Sequence, residues 1–388
     1  IRIHNSMAAA PEFPLTCLHR RRFGQGLTAL LCSAAAPSAA RPLAAGPLAA
    51  VLNPAGGPPM ACAGLIARRG DGSVAVRIAA GPAGARPFSP DAPFRVASVS
   101  KMVAASAFLP LAMRTGLGLD SDASDLLGFR LRHPAHPEVA ITPRMLLGHV
   151  SGLRNGPSYP VPLGRKLSEA FLPDGRHYDA GAWFGPGEHR PGDWFAYADV
   201  NFALVAQILE RRANARFDLF MRREVFAPLG LDIGYNWSGV SQAKRALAAP
   251  ALHLEAGAWK PQVDAEVLPA PGIAFTRAPE AQELDAADYR IGENGFVFSP
   301  QGGLRLSLSD MDALARLYAA GGRWRGRQLI PRVALEAMQA PGWRFDPAHP
   351  NGEIGNGLVQ GYGLGCETPL GCPGPTGDRF FGPRSEEH

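Results

Sequence analysis

The stretch from Ser98 to Thr115, SVSKMVAASAFLPLAMRT, is apolar or small at nearly every position and has no polar face. A helix that is apolar all round is buried on all sides. The segment therefore reads as a central helix, stopped by Gly116 and kinked at Pro110. A second run, DVNFALVAQILERR over 199–212, sets Phe202, Val205, Ala206 and Leu209 on one helical face. ITPRMLLGHVSGL (141–153) carries a start signal, with Thr142 as N-cap and Pro143 at the first helical position, and Gly148 and Gly152 punctuate its end. In SLSDMDALARLYAAGG (307–322), Ser309 stands three residues before Asp312, the spacing of a capping box, and two glycines close the run.

Strand patterns lie elsewhere. ACAGLIARRGDGSVAVRIAAG (61–81) divides into two runs rich in Val, Ile and Ala around Gly70-Asp71-Gly72, which reads as a hairpin. Strand signals fall near both ends of the chain and helix signals in its middle, with no internal repeat. The pattern predicts an α+β protein: a largely antiparallel sheet built from the two ends, flanked by helices, with a mainly helical lobe inserted between them.

Composition bounds this picture without changing it. The 388 residues, 46% hydrophobic and 19% charged, are enough for one large domain or two lobes, and 45 Gly with 37 Pro imply long loops. The net charge of +5 is concentrated at the start, where Arg2, Arg20, Arg21 and Arg22 face Glu12 alone within residues 1–40. The remaining body is close to neutral and has no basic stripe interleaved with aromatics, which excludes nucleic acid as a partner. HRRRFGQGLTALLCSAAAPSAA (19–40) has a cationic cluster, a short apolar stretch and then small residues, the layout of an export leader, and Arg20-Arg21-Arg22-Phe23 is similar to a twin-arginine signal. Cleavage after Ala40 fits. The alternative is an arginine-rich disordered tail, and residues 1–6, ahead of Met7, read as upstream translation. We therefore divide the chain into a leader and linker over 1–45 and a main domain over 46–388, expected in the periplasm or secreted. No later stretch approaches the length of a membrane span.

Of five cysteines, Cys17 and Cys32 fall in the leader, and Cys62, Cys366 and Cys372 form no C-x-x-C pair. Zinc is disfavoured. In an exported protein Cys366 and Cys372 could close a small loop, or stay as thiols. His149 and His177 have no spaced partner for a metal and read as solvent-facing or capping residues.

The chemistry is carried by a lysine. Only four of the 39 Lys and Arg residues are lysines: Lys101, Lys166, Lys244 and Lys260. An arginine cannot give up its proton, whereas a partly desolvated lysine can. Ser98 and Lys101 lie at i and i+3 in the first turn of the central helix, where unpaired N–H groups and the helix dipole favour an alkoxide and the oxyanion that follows attack. The alternative is a plain helix start. Ser241 and Lys244 repeat the spacing in a polar stretch and read as surface, while Ser98 is enclosed by Phe94, Val96, Val99, Met102 and Val103. No G-x-S-x-G elbow is present, which argues against an α/β-hydrolase.

FRVASVSK, ITPRMLLGHVSGL, PGDWFAYADVNFALVAQILE, VFAPLGL and FSPQGGLRLSLSDM follow one another in the order and spacing of serine hydrolases. Over residues ~60 to ~382 the chain resembles class C β-lactamases, D-alanyl-D-alanine peptidases and family VIII carboxylesterases. The resemblance implies a β-lactamase-like fold, Ser98 as nucleophile, Lys101 as its proton partner and Tyr197 as a second general base, with no cofactor. From the residues alone, Tyr197 could equally be a core tyrosine with its hydroxyl bonded. Asp199 stands where the family usually has asparagine; if it lies near Lys101 its carboxylate holds the lysine protonated, leaving Tyr197 the better base. Gly302-Gly303 looks like the family's close-packed turn. After YGLG and RFFG such proteins continue with His-x-Gly or Lys-Thr-Gly on a strand, whereas this chain ends Pro383-Arg384-Ser385-Glu386-Glu387-His388. A truncated or frame-shifted end is expected, lacking the third motif and several strands. The implied substrate is a small molecule, and PSYPVPLGR (157–165), read as an apolar lid loop, favours a small carboxylic ester. A β-lactam or a D-Ala peptide is the alternative, and a binding protein that has lost turnover is a further one.

Overall fold

The computed structural model describes residues 62–80, 88–249, 252–255, 258–261, 289–355 and 359–368. The leader and linker, Cys17, Cys32, Cys372 and the chain's last stretch, with its expected truncation, lie outside the described residues.

The described residues divide between two units, one within Ile1–Pro82 and the other within Ala83–His388. The first contains the hairpin read from the sequence. Its strands β1 (Ala63–Arg68) and β2 (Val74–Ala80) pair antiparallel with Leu65 opposite Ile78. Gly72 takes the left-handed conformation (φ +82°) that the turn requires, and Asp71 Oδ1 accepts the Ser73 N–H at 2.8 Å.

In the second unit the all-apolar run is helix α1 (Val99–Thr115), buried from Ser100 to Leu109. Gly116 ends it at φ +65°, donating to the carbonyls of Ala112 and Met113. The helix continues through Pro110 as one element, although proline has no N–H for the Ser106 carbonyl. Helix α2 (Pro143–Leu147) starts as its cap signal requires, with Thr142 Oγ1 accepting the Met145 N–H. The amphipathic run forms α3 (Val200–Ala213), which packs on α1 and α2. Val103, Phe108, Leu204 and Leu209 are all at most 2% exposed in the shared core, and each such side chain contributes about 1.5–3 kcal/mol by leaving water.

A three-stranded antiparallel sheet covers this core in the order β3 (Phe94–Arg95), β5 (Leu304–Leu306), β4 (Gly234–Tyr235). It joins distant parts of the chain across the helical middle, as the α+β reading requires. Among the described residues the other strands form separate two-stranded pairs, including β6 (Trp343–Arg344) with β7 (Gly361–Tyr362), so one continuous sheet is not seen there. Ser100 fastens α1 to the sheet: its Oγ accepts the Leu304 N–H at 3.0 Å and its carbonyl accepts the Tyr235 hydroxyl at 2.9 Å.

Three sequence expectations need correction. The capping box of helix α5 (Leu308–Ala319) is Ser307 with Asp310, two residues ahead of the pair expected at Ser309 and Asp312. The sequence carries the same spacing in both phases; Ser309 is used elsewhere, its Oγ donating to Asp91 Oδ1 at 2.6 Å. Lys244, expected at the surface, is largely buried, with its ammonium 2.8 Å from Asp310 and 3.3 Å from Ser307 Oγ. Ser241 is exposed and caps helix α4 (Gln242–Ala246), so this second Ser/Lys pair is divided between two tasks. Finally, the 157–165 loop, expected to be apolar, is anchored by polar contacts. Ser158 is held by Asp179 through its N–H and Oγ at 2.8 Å each, and Pro160 and Val161 are buried.

Candidate active site

Ser98 sits at the N-terminus of α1, half-buried, directly after Ala97, whose φ of +44° is a left-handed conformation that costs an alanine energy. Its hydroxyl does not cap the helix. Instead Lys101 Nζ lies 3.1 Å from Ser98 Oγ.

Lys101 is 1% exposed and donates three hydrogen bonds: to Ser98 Oγ, to Asp199 Oδ1 at 2.7 Å and to the Gln301 carbonyl at 2.8 Å. Three donors are all that an ammonium has. Asp199, at the N-cap of α3, makes no capping bond and spends its carboxylate on the lysine instead. The chain's departure from asparagine at this position therefore places a full negative charge against the buried cation.

The Tyr197 ring lies beside the same ammonium. Its centroid is 4.6 Å from Lys101 Nζ, and the side chain is 42% exposed, which does not fit a core tyrosine. Ser98, Lys101, Tyr197 and Asp199 thus come together around one ammonium group.

Four further residues belong to this site, and the sequence did not single them out for it. Tyr159, from the loop read as a lid, donates to Asp199 Oδ2 at 3.2 Å and accepts from Gln301 Nε2 at 3.3 Å. Burial, and after it the Asp199 charge, push the Tyr159 hydroxyl far up, so it acts as a neutral donor. Gln301 supplies the carbonyl on Lys101 and leads into Gly302-Gly303. A Cβ on Gly303 would stand 2.5 Å from Ser299 Cβ and 2.7 Å from Asn236 Oδ1, so only glycine fits, and the turn is close-packed as expected. Ser100 fixes the helix to the sheet. His149, expected at solvent or a cap, is instead fully buried, stacked on Tyr197 with centroids 4.3 Å apart. Burial, and then the Lys101 charge, hold its pKa well below the usual histidine value. His177 is half-buried, and its carbonyl accepts the Trp183 Nε1–H at 2.7 Å.

Among the described residues no group of His, Cys, Asp or Glu could hold a metal, and no helix is long and apolar enough to cross a membrane. Cys366 is buried, its thiol donating to the Met338 carbonyl at 3.3 Å.

A buried lysine shared between a helix-start serine and an aspartate, on an α+β scaffold, is the frame of a serine hydrolase. The family model described as Beta-lactamase matches residues 59–382, and the chain belongs to that family, part of a serine hydrolase superfamily. Penicillin-binding protein 4* of Bacillus subtilis (strain 168) is 23% identical over 155 residues, 38% of this chain and 31% of that protein. The chain thus matches about a third of the length of that relative. Two solved structures share the fold. The octameric penicillin-binding protein homologue from Pyrococcus abyssi superposes with a TM-score of 0.56 at 19% identity, over 82% of this chain and 62% of that one. EstCE1, described as a hydrolase with promiscuous acyltransferase activity, superposes with a TM-score of 0.58 at 21% identity, over 89% and 84%.

Proposed function

We propose that the protein hydrolyses small carboxylic esters through an acyl-Ser98 intermediate. The observation that carries this reading is the threefold bonding of Lys101 to Ser98 Oγ, Asp199 and the Gln301 carbonyl. A lysine with all three N–H groups donated orients the serine oxygen and favours negative charge on it, while the serine proton leaves to another group.

Tyr197 takes that role. Ser98 Oγ attacks the ester carbonyl carbon, and its proton passes to the Tyr197 oxygen as the Tyr197 hydroxyl proton passes on to the alcohol oxygen of the ester. The tetrahedral oxyanion collapses, the C–O bond to the alcohol breaks, and the alcohol leaves carrying that proton, with Tyr197 again a neutral hydroxyl. Water then adds to the acyl carbon by the same route in reverse, releasing the carboxylic acid and free Ser98. No cofactor enters these steps.

Asp199 favours esters over amide-bearing substrates. A carboxylate beside the nucleophile offers only acceptors, so the carbonyl of an acylamino side chain on a β-lactam or peptide finds no donor there. An apolar acyl group makes no such demand. The leader's Arg20-Arg21-Arg22-Phe23 supports a site of action outside the cytoplasm.

The test has two parts. A fluorophosphonate label, located by mass spectrometry, is expected on the Ser98 peptide and absent from Ser98→Ala; labelling at Ser241 overturns the nucleophile. Turnover of p-nitrophenyl butyrate is expected to exceed that of nitrocefin in kcat/KM. Nitrocefin winning by more than tenfold, about 1.4 kcal/mol in barrier, moves the substrate class to β-lactams. No turnover of either favours a binding protein.

A further inference from the structure

His149 holds the segment carrying Tyr197 at three points. Its carbonyl accepts the Ala196 N–H at 2.9 Å, its Nδ1 accepts the Ala198 N–H at 3.2 Å, and its ring stacks on the Tyr197 ring between them, tilted by 27°. The residue before Tyr197, the residue after it and the side chain itself are thus all set by one histidine.

The geometry also fixes the ring's protonation. A backbone N–H can only donate, so the nitrogen facing Ala198 carries no proton and the neutral ring holds its proton on Nε2. Asn201 Nδ2 lies 2.9 Å from the same Nδ1, while Asn201 Oδ1 accepts the Ser151 hydroxyl at 2.6 Å, which orients the amide. The backbone of His149 is held at φ +55°, a conformation that glycine, asparagine, aspartate and histidine adopt more readily than other residues. Tyr362 of β7 closes the ring's edge at 5.0 Å.

From this arrangement we infer that His149 is a positioning residue for the reaction, presenting the Tyr197 hydroxyl to Ser98 only while its own ring is neutral. The inference rests on Tyr197 as the base. A second proton would go on Nδ1, against the Ala198 N–H and the Asn201 amide, and would release the segment on one side. The charged and titratable groups around the ring are Lys101 from α1, with its partner Asp199, and Tyr197 and Tyr362. Lys101 opposes the second proton, so the ring stays neutral until the solution is well below neutrality. The sign is that of a depressed base: its contribution is complete above the unfolded value of about 6.5 and is lost as pH falls towards the folded one.

Two variants separate the parts. His149→Asn keeps an acceptor at the Nδ1 position and tolerates the backbone, but has no ring and cannot be protonated. His149→Phe keeps the ring and loses the acceptor. Steady-state turnover of p-nitrophenyl butyrate by the full chain is measured from pH 4.5 to 9, with thermal melting alongside and Tyr197→Phe as reference. The Phe variant is expected to lose roughly tenfold in kcat at every pH with KM within about twofold. The Asn variant is expected to recover part of that loss and to raise the ratio of kcat at the acid end of that range to kcat at pH 8 over wild type. If the Phe variant does not fold, the ratio in the Asn variant decides. An unchanged ratio overturns the inference, as does a loss carried by KM. A Tyr197→Phe enzyme with full kcat removes the base reading itself, and a dead Tyr197→Phe beside an unimpaired His149→Phe removes the positioning role alone.

Discussion

Glu210, on α3 and fully buried, is expected to set the pH dependence of stability in the unit that holds the site. Its Oε1 accepts the Phe217 N–H at 2.7 Å, and its Oε2 accepts the Gly292 N–H at 2.8 Å and the Tyr289 hydroxyl. Burial is the main cause that raises its pKa from 4.5 to about 7, against the hydrogen bonds that lower it. Because the folded value is the higher one, protonated Glu210 adds stability that is complete below pH 4.5, falls as the pH rises and is gone above about 7. A rise of that size corresponds to ~3 kcal/mol, a large share of the roughly 5–15 kcal/mol that keeps a protein folded. Glu210→Gln cannot ionise, so this share of the slope should vanish. Urea unfolding followed by tryptophan fluorescence would be run on both proteins at pH 4.5 and pH 8. At pH 4.5 the variant is expected to be less stable by about 1 kcal/mol, because its amide nitrogen cannot accept from Gly292. At pH 8 it should equal or exceed wild type. A difference between the two proteins that stays constant across that range refutes the reasoning, since every other titrating group is shared.

Three further outcomes follow from contacts at and near the site. Asp199→Ala leaves the buried Lys101 ammonium without its carboxylate and should cost roughly 3 kcal/mol in urea unfolding, whereas Asp199→Asn, which keeps an acceptor there, should cost less than half of that; equal costs would mean that the charge carries the whole effect and the retained acceptor contributes nothing. Gly303→Ala drives a methyl into Ser299 and Asn236 and should cost about 2–3 kcal/mol and most of the ester turnover, while Gly302→Ala, with nothing within 4 Å of its new Cβ, should melt within a degree or two of wild type. Ser241→Ala should cost about 1 kcal/mol as a lost helix cap and leave labelling of Ser98 undiminished, as a mass-spectrometric comparison would read directly.

The elements with repeated, phase-consistent signals were legible before the structure: the all-apolar α1, the amphipathic α3, the Thr142-Pro143 start and the Gly72 turn. The nearness of Ser98 to Lys101 was also legible through spacing, and that of Tyr197 and Asp199 through family order; their roles in the reaction belong to the proposal. What escaped is set by tertiary contact. Tyr159 sits among prolines that read as an apolar loop, and only its distance to Asp199 gives it a polar task. The part played by Gln301 is a backbone carbonyl, which no residue type announces. His149 was judged by the absence of metal-ligand spacing, although its place two residues after the end of α2 and 4.3 Å from the Tyr197 ring is what matters. The capping box was misplaced by two residues because SLSDMD satisfies the pattern twice, and Lys244 decides between them by pairing with Asp310.

The two serines of SVSK are chemically alike and two residues apart, yet they meet different partners: Ser98 Oγ lies 3.1 Å from the Lys101 ammonium. Ser100 is 0% exposed and its oxygen already accepts a strand N–H, so it cannot stand in for its neighbour. On the proposed mechanism, loss of Ser98 is therefore not made good by the serine two residues along.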